Sequence, residues 1–177
     1  MESYLSKRAN WHSENLSLQA IRLIGENLPK LHQNLSDHEA REKMSYASML
    51  MGMNLYNIGN CLPHRMQYHI GAMTGTSHAL GLVALYPAWI KAEYKVSPDK
   101  VIDIFHALVN RTPRNSSEAE ELMANFLAEQ ELYTTLMNIG IGEHQIPAIV
   151  KKNRGNISVD PIGEEEGVCE RIYSESL

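Results

Sequence analysis

The sequence predicts an all-α fold, a multi-helix bundle formed by residues 1–177 as one domain. Apolar residues recur at intervals of three and four along most of the chain. Helix-start signals and stop glycines punctuate those runs, and no stretch of strand length alternates apolar with polar residues. At 177 residues, 44% hydrophobic and 21% charged, the composition is globular and allows one substantial core.

The elements follow in order. From Ser13, the positions Leu16, Ala20, Leu23, Ile24 and Leu28 keep helical spacing, and Pro29 is expected to close or kink that helix. "SDHE" reads as a capping box, with Ser36 and Glu39 exchanging hydrogen bonds with each other's backbone. Behind it Ala40, Met44, Ala47, Met51, Leu55 and Ile58 form one stripe, with Gly59 as the stop. The methionine-rich run "MSYASMLMGMNLYNIG" reads as a packing face of that helix.

Pro63 suits the first turn of a shorter helix through His69, ended by Gly71. Ser77 starts an almost wholly apolar helix toward Trp89, bent by Pro87. Ser97 and Pro98 open the next, to about Leu108. "NSSEAEELMANFLAEQELYTTLM" carries acidic residues in its first turn, at the positive end of the helix dipole. Two shorter helical pieces are expected at roughly 142–152 and 164–175, around the loop "NRGNISVDPIG".

Several functions are disfavoured. A net charge of −5 does not suit a nucleic-acid backbone or an anionic membrane surface, and 151-KKNR-154 reads as a solvated helix end. No apolar run approaches the ~20 residues of a bilayer span; "ALGLVALYPAWI" suits a buried helix. The start "MESYLSKRANWHSE" lacks an apolar signal core, and Cys61 and Cys169 form no CxxC. A reducing cytoplasm is the expected location. With no strand followed by a glycine-rich phosphate loop, the chain should not bind a dinucleotide by itself. No Gly-x-Ser-x-Gly elbow is present and no histidine neighbours either cysteine in sequence, so nucleophilic catalysis has no support.

Three of the eight histidines, His64, His69 and His78, fall within "CLPHRMQYHIGAMTGTSHALG". A neutral imidazole is a common transition-metal ligand. His64 and His69 diverge by roughly 140° on one helix, which opposes a shared ion. His64 and His78 belong to different helices, and a turn between Gly71 and Gly75 lets them converge. On spacing alone, two satisfied core or surface histidines explain the pattern as well. His12, His32, His38 and His144 read as surface residues. His106 follows Asp103 by three without the repeated Glu-x-x-His of di-metal bundles.

Residue order separates these readings. The run "ESYLSKRAN…AIRLIGENLPK…AREKMSYASMLMGMNLYNIGNCLPHRMQYHIGAMTGTSHALGLVALYP" resembles the C-terminal helical domain of the iron-containing alcohol dehydrogenases, a domain shared in type with dehydroquinate synthase. The likeness continues loosely to the closing helix "EEEGVCERIYSESL". Its motif is a histidine, seven residues to a glycine and seven more to a histidine, met by His64, Gly71 and His78.

The resemblance implies a two-domain enzyme in which NAD(P) is held by an α/β domain and a divalent ion, Fe2+ or Zn2+, by the helical one. His64 and His78 would be two of four ligands. The other two belong to a D-x-x-x-H-x-x-E stretch whose final residue matches Glu2, so they would precede Met1, together with the nucleotide domain. Met1 would then be an internal methionine of the longer pattern, and a late gene start and a cut chain are both open. The expectation is weak metal binding, no alcohol dehydrogenase activity alone, and NAD(P) binding only with the missing domain supplied. Alcohols and aldehydes would be the substrates of the intact enzyme.

Two departures bear on the site: Tyr68 stands where the family often has a histidine near the nicotinamide, and Ala79 where glycine commonly follows the second ligand. A proton relay through neighbouring His69 and a plain surface histidine are both open. The alternatives to a half-enzyme are a split enzyme paired with a separate nucleotide-binding chain, and a non-catalytic helical module that self-associates as a homo-oligomer.

Overall fold

In the computed structural model, residues 1–152 and 156–177 are described, and they contain helices and turns without a strand. The helices are α1 (Glu2–Leu5), α2 (Trp11–Gln33), α3 (His38–Asn57), α4 (Leu62–Thr74), α5 (His78–Val96), α6 (Pro98–Val109), α7 (Ser116–Glu129), α8 (Ile146–Val150) and α9 (Val168–Glu175). The fold is the all-α one that the periodicity predicts.

Local chemistry sets the boundaries, sometimes a few residues from where sequence signals place them. α2 begins at Trp11 because Asn10 caps it: its Oδ1 accepts from the Ser13 amide at 3.1 Å while Ser13 Oγ accepts from the Asn10 amide at 2.9 Å. Pro29 does not close α2. The backbone ladder resumes beyond it, and the Asn34 amide still reaches the Lys30 carbonyl at 2.8 Å. At α3 the cap is Asp37, whose Oδ1 accepts from the Ala40 amide at 3.0 Å. It displaces the Ser36–Glu39 box because its carboxylate accepts from the Ala40 amide, an orphan donor of the first turn that starts one position later.

α4 runs through Gly71 to Thr74. Its end is Gly75, whose φ of 68° is the left-handed C-cap conformation that glycine adopts without a Cβ penalty. Ser77 caps α5 as expected, and Pro87 lies inside a helix that extends to Val96. α7 stops at Glu129, short of the predicted run, and left-handed Glu131 follows (φ 55°). The piece expected at 142–152 is a 3-10 turn, Glu143–Gln145, leading into α8; that at 164–175 begins only at Val168. Asn153 and Arg154 of the basic cluster, and the "NRG" of the loop after it, lie outside the described residues.

α5 is the central element. Its Leu85, Trp89 and Ile90 are fully buried among α4, α6, α7 and α9, together with Met66, Ile70, Phe105 and Tyr173. Burying such side chains contributes about 1.5–3 kcal/mol each. α2 crosses α6 so closely that a Cβ at Gly25 would lie 1.9 Å from the Leu108 carbonyl oxygen. α3 leans on α2 through Ala20, Ala47 and Leu50. Of its predicted stripe Ala40, Ala47 and Ile58 are buried, whereas Leu55 is exposed, because the helix faces α2 through Leu50 and Asn54 instead. Asn54 donates to the Ser13 carbonyl (2.9 Å) and Ser17 Oγ (2.8 Å).

Candidate metal centre

α4 and α5 present their N-terminal turns side by side. His64 lies in the first turn of α4 and His78 is the first residue of α5. The chain reverses between them at Gly75 and resumes at the Ser77 cap, whose Oγ accepts from the Leu80 amide. The two imidazole rings stand edge to face with centroids 5.0 Å apart. They are the two histidines that the sequence singles out. His12, His32, His38, His106 and His144 are exposed and His69 is half-buried on α4.

The start of α4 lacks a side-chain cap of its own. Two remote carboxylates take that role. Glu2 Oε2 accepts from the Cys61 amide at 2.8 Å, and Asp160 Oδ2 accepts from the Leu62 amide at 2.9 Å. Both satisfy orphan donors at the positive end of the helix dipole. Asp160, fully buried, also accepts from Trp89 Nε1 (3.1 Å) and the Ile162 amide (3.1 Å). It ties the loop before α9 to the helix that carries His64.

Each imidazole is held through Nδ1. His64 Nδ1 lies 2.7 Å from Glu2 Oε1, which also accepts from the Tyr86 hydroxyl at 3.1 Å. His78 Nδ1 lies 2.6 Å from Gln67 Oε1. A carboxylate only accepts, so His64 donates from Nδ1, and in the neutral ring the lone pair sits on Nε2. Among the described residues neither Nε2 has a hydrogen-bond partner. An outer acceptor on one ring nitrogen, leaving the other basic, is the usual arrangement around a ligating histidine. Tyr68 stacks on His78, 6.1 Å between centroids at 26°, so the residue at the departed family position touches the candidate ligand. Ala79 is exposed.

Beside His64 opens a cleft of about 390 Å³, bounded by Glu2, Ser48, Met51, Leu55 and Tyr86 among others. Burial, then the proximity of Glu2, holds the Tyr86 hydroxyl well above the ordinary phenol range, so it remains a donor. Burial, and then the charges of Asp160 and Glu2, push the Cys61 thiol up, which makes it neither a nucleophile nor a soft ligand. Both cysteines are free. Among the described residues no group of three or more His, Cys, Asp or Glu side chains is arranged to hold an ion.

Sequence reasoning missed Asp160 and Gln67. Asp160 carried no local signal, since it acts across 98 residues on the Leu62 amide. For Gln67 a signal existed in Gly81, a small residue inside the apolar run of α5, where close approach of another group is the usual reason.

The sequence profile of the Fe-containing alcohol dehydrogenase family, C-terminal, matches residues 1–159. The chain belongs to this family. The 1,3-propanediol dehydrogenase of Citrobacter freundii is 30% identical over 178 residues, covering 96% of this chain and 46% of the relative. The Klebsiella pneumoniae 1,3-propanediol dehydrogenase is 32% identical over 145 residues, covering 81% and 36%. A 1,3-propanediol oxidoreductase crystal structure superposes with a TM-score of 0.90 at 26% identity, covering 99% of this chain and 48% of that one. The chain thus covers between 36% and 48% of the length of these proteins, and its fold matches their C-terminal helical domain.

Proposed function

We propose that this chain is the metal-binding helical portion of an iron-type NAD(P)-dependent alcohol dehydrogenase. His64 and His78 donate from Nε2 to a divalent ion, Fe2+ or Zn2+. The ring pair at 5.0 Å, with both Nδ1 atoms engaged and both Nε2 atoms open, carries this reading. When bound, a divalent ion supplies Lewis acidity toward an alcohol or aldehyde oxygen during hydride exchange with a nicotinamide. The chain's own residues hold the imidazoles. Glu2 fixes His64, Tyr86 fixes Glu2, and the two capping carboxylates hold the start of α4 in place.

Two imidazoles fall short of the three protein ligands usual for a catalytic site. The remaining ligands and the nucleotide-binding domain come from residues outside these 177 or from a separate chain, and residues 1–177 form the helical domain alone. Calorimetric titration with Zn2+ is expected to show weak one-to-one binding, lost in His64→Ala and in His78→Ala. NAD(P)-linked oxidation of 1,3-propanediol by the 177-residue chain should be undetectable. Robust turnover by this chain, or affinity unchanged in both variants, would overturn the reading.

A second reading, a non-catalytic helical module that self-associates, has its own support. Tyr46, Met49, Met53 and Tyr56 are 42–92% exposed at helical spacing on α3, and an apolar stripe of this kind marks an association surface. It requires a concentration-dependent dimer by sedimentation, unchanged when both histidines are replaced by alanine.

A further inference from the structure

We propose that Gln67 is a positioning residue that fixes the tautomer of His78, and that Gly81 and Gly71 provide the space it needs. The inference rests on the reading of His78 as a metal ligand only for its consequence, not for its geometry.

Gln67 is 3% exposed, lying between α4 and α5. A Cβ at Gly81 would sit 2.6 Å from Gln67 Cγ and 3.1 Å from its Nε2, so the glutamine side chain would have to shift. A Cβ at Gly71 would likewise lie 3.1 Å from Nε2. Two glycines on facing helices therefore accommodate one long polar side chain. Its amide oxygen ends 2.6 Å from His78 Nδ1.

An amide oxygen has no proton to give. The neutral His78 ring must carry its hydrogen on Nδ1, and the lone pair moves to Nε2. Without that acceptor, an exposed imidazole divides between two tautomers, and only one offers Nε2 to an ion. Tyr68 against the ring face adds a second restraint on its rotation. The two imidazoles are thus set by different acceptors, a carboxylate on His64 and a neutral amide on His78. The amide holds the tautomer without adding a charge beside the ion.

The test is long-range proton–nitrogen correlation on the metal-free, 15N-labelled chain at alkaline pH, with His78→Ala assigning the ring signals. Wild type should show the Nδ1–H form of His78. Gln67→Met, similar in volume but without the acceptor, should show a mixture. Gln67→Glu, which keeps an acceptor, should restore the Nδ1–H form. Gly81→Ala, which leaves the amide but removes its space, should reproduce the mixture even if Gln67→Met fails to fold. Zn2+ affinity should fall roughly 10- to 100-fold in Gln67→Met, the usual effect of losing an outer-sphere partner.

An Nε2–H form in wild type, which the reverse orientation of the Gln67 amide would impose, overturns the proposal. So does an unchanged tautomer in both Gln67→Met and Gly81→Ala. If the tautomers behave as expected while Zn2+ affinity is equal in wild type and His78→Ala, the metal reading fails and the role of Gln67 stands.

Discussion

Replacing Asp160 with alanine is expected to cost about 3–5 kcal/mol of folding stability, because it strands three buried neutral donors. The carboxylate is fully buried and accepts three hydrogen bonds, from the Leu62 amide, Trp89 Nε1 and the Ile162 amide. Alanine would strand three donors without access to water, each costing about 1–3 kcal/mol, with incomplete additivity. Domains are stable by only about 5–15 kcal/mol, so the variant should sit near the edge of folding. Urea unfolding followed by tryptophan fluorescence measures this, Trp89 being one reporter. Asp160→Asn keeps the shape but turns one acceptor into a donor, and should fall between the two. A loss below about 1 kcal/mol in Asp160→Ala would mean that the stranded groups find other partners.

The second large effect concerns the neighbouring buried carboxyl. Glu93 is fully buried on α5. Burial first, and the adjacent Asp160 carboxylate second, push its pKa up to about 10. A protonated Glu93 lies where it could share its hydrogen with Asp160, yet neither Glu93 oxygen meets hydrogen-bond geometry. Burial and the Asp160 carboxylate act in the same direction, so Glu93 is expected to hold its proton in the fold at pH 7.

The sign of the linkage follows. Below the ordinary value of 4.5 both folded and unfolded chains hold the proton, and no penalty arises. Between 4.5 and about 10 the unfolded chain releases it and the folded chain keeps it, so stability declines as pH rises. The slope approaches about 1.4 kcal/mol per pH unit for a single group. Glu93→Gln, a neutral mimic of the protonated acid, removes this dependence. Its stability relative to wild type should therefore climb steadily from pH 5 to pH 9. Parallel stability–pH curves for the two proteins would show that Glu93 is ionised within the fold.

These two carboxyls mark the boundary of what the sequence discloses. Helix identity was legible because the apolar spacing that buries Ala20, Ala47, Leu85 and Trp89 is local. Caps that rest on adjacent residues, Ser77 at α5 and the prolines opening α4 and α6, were legible for the same reason. Competition between nearby signals was harder to judge. Asp37 prevailed over Ser36, and Gly75, the glycine with a left-handed φ, over Gly71. What holds the site together was not legible from spacing, because Glu2 and Asp160 reach α4 across 59 and 98 residues. The histidine pair itself emerged from residue order. Spacing brought His64 and His78 to neighbouring helix starts, but a shared spot needs the reversal at Gly75 and the outer acceptors Glu2 and Gln67.

Everything proposed for the site depends on two rings offering Nε2 to one ion. X-ray absorption at the zinc edge, on the 177-residue chain loaded with one equivalent of Zn2+, tests this most directly. The expected spectrum has two imidazole nitrogens at about 2.0–2.1 Å with oxygen from water completing the shell, and reverts to oxygen alone in each of His64→Ala and His78→Ala. A wild-type spectrum fitted by oxygen alone, or one indifferent to both substitutions, would contradict the account.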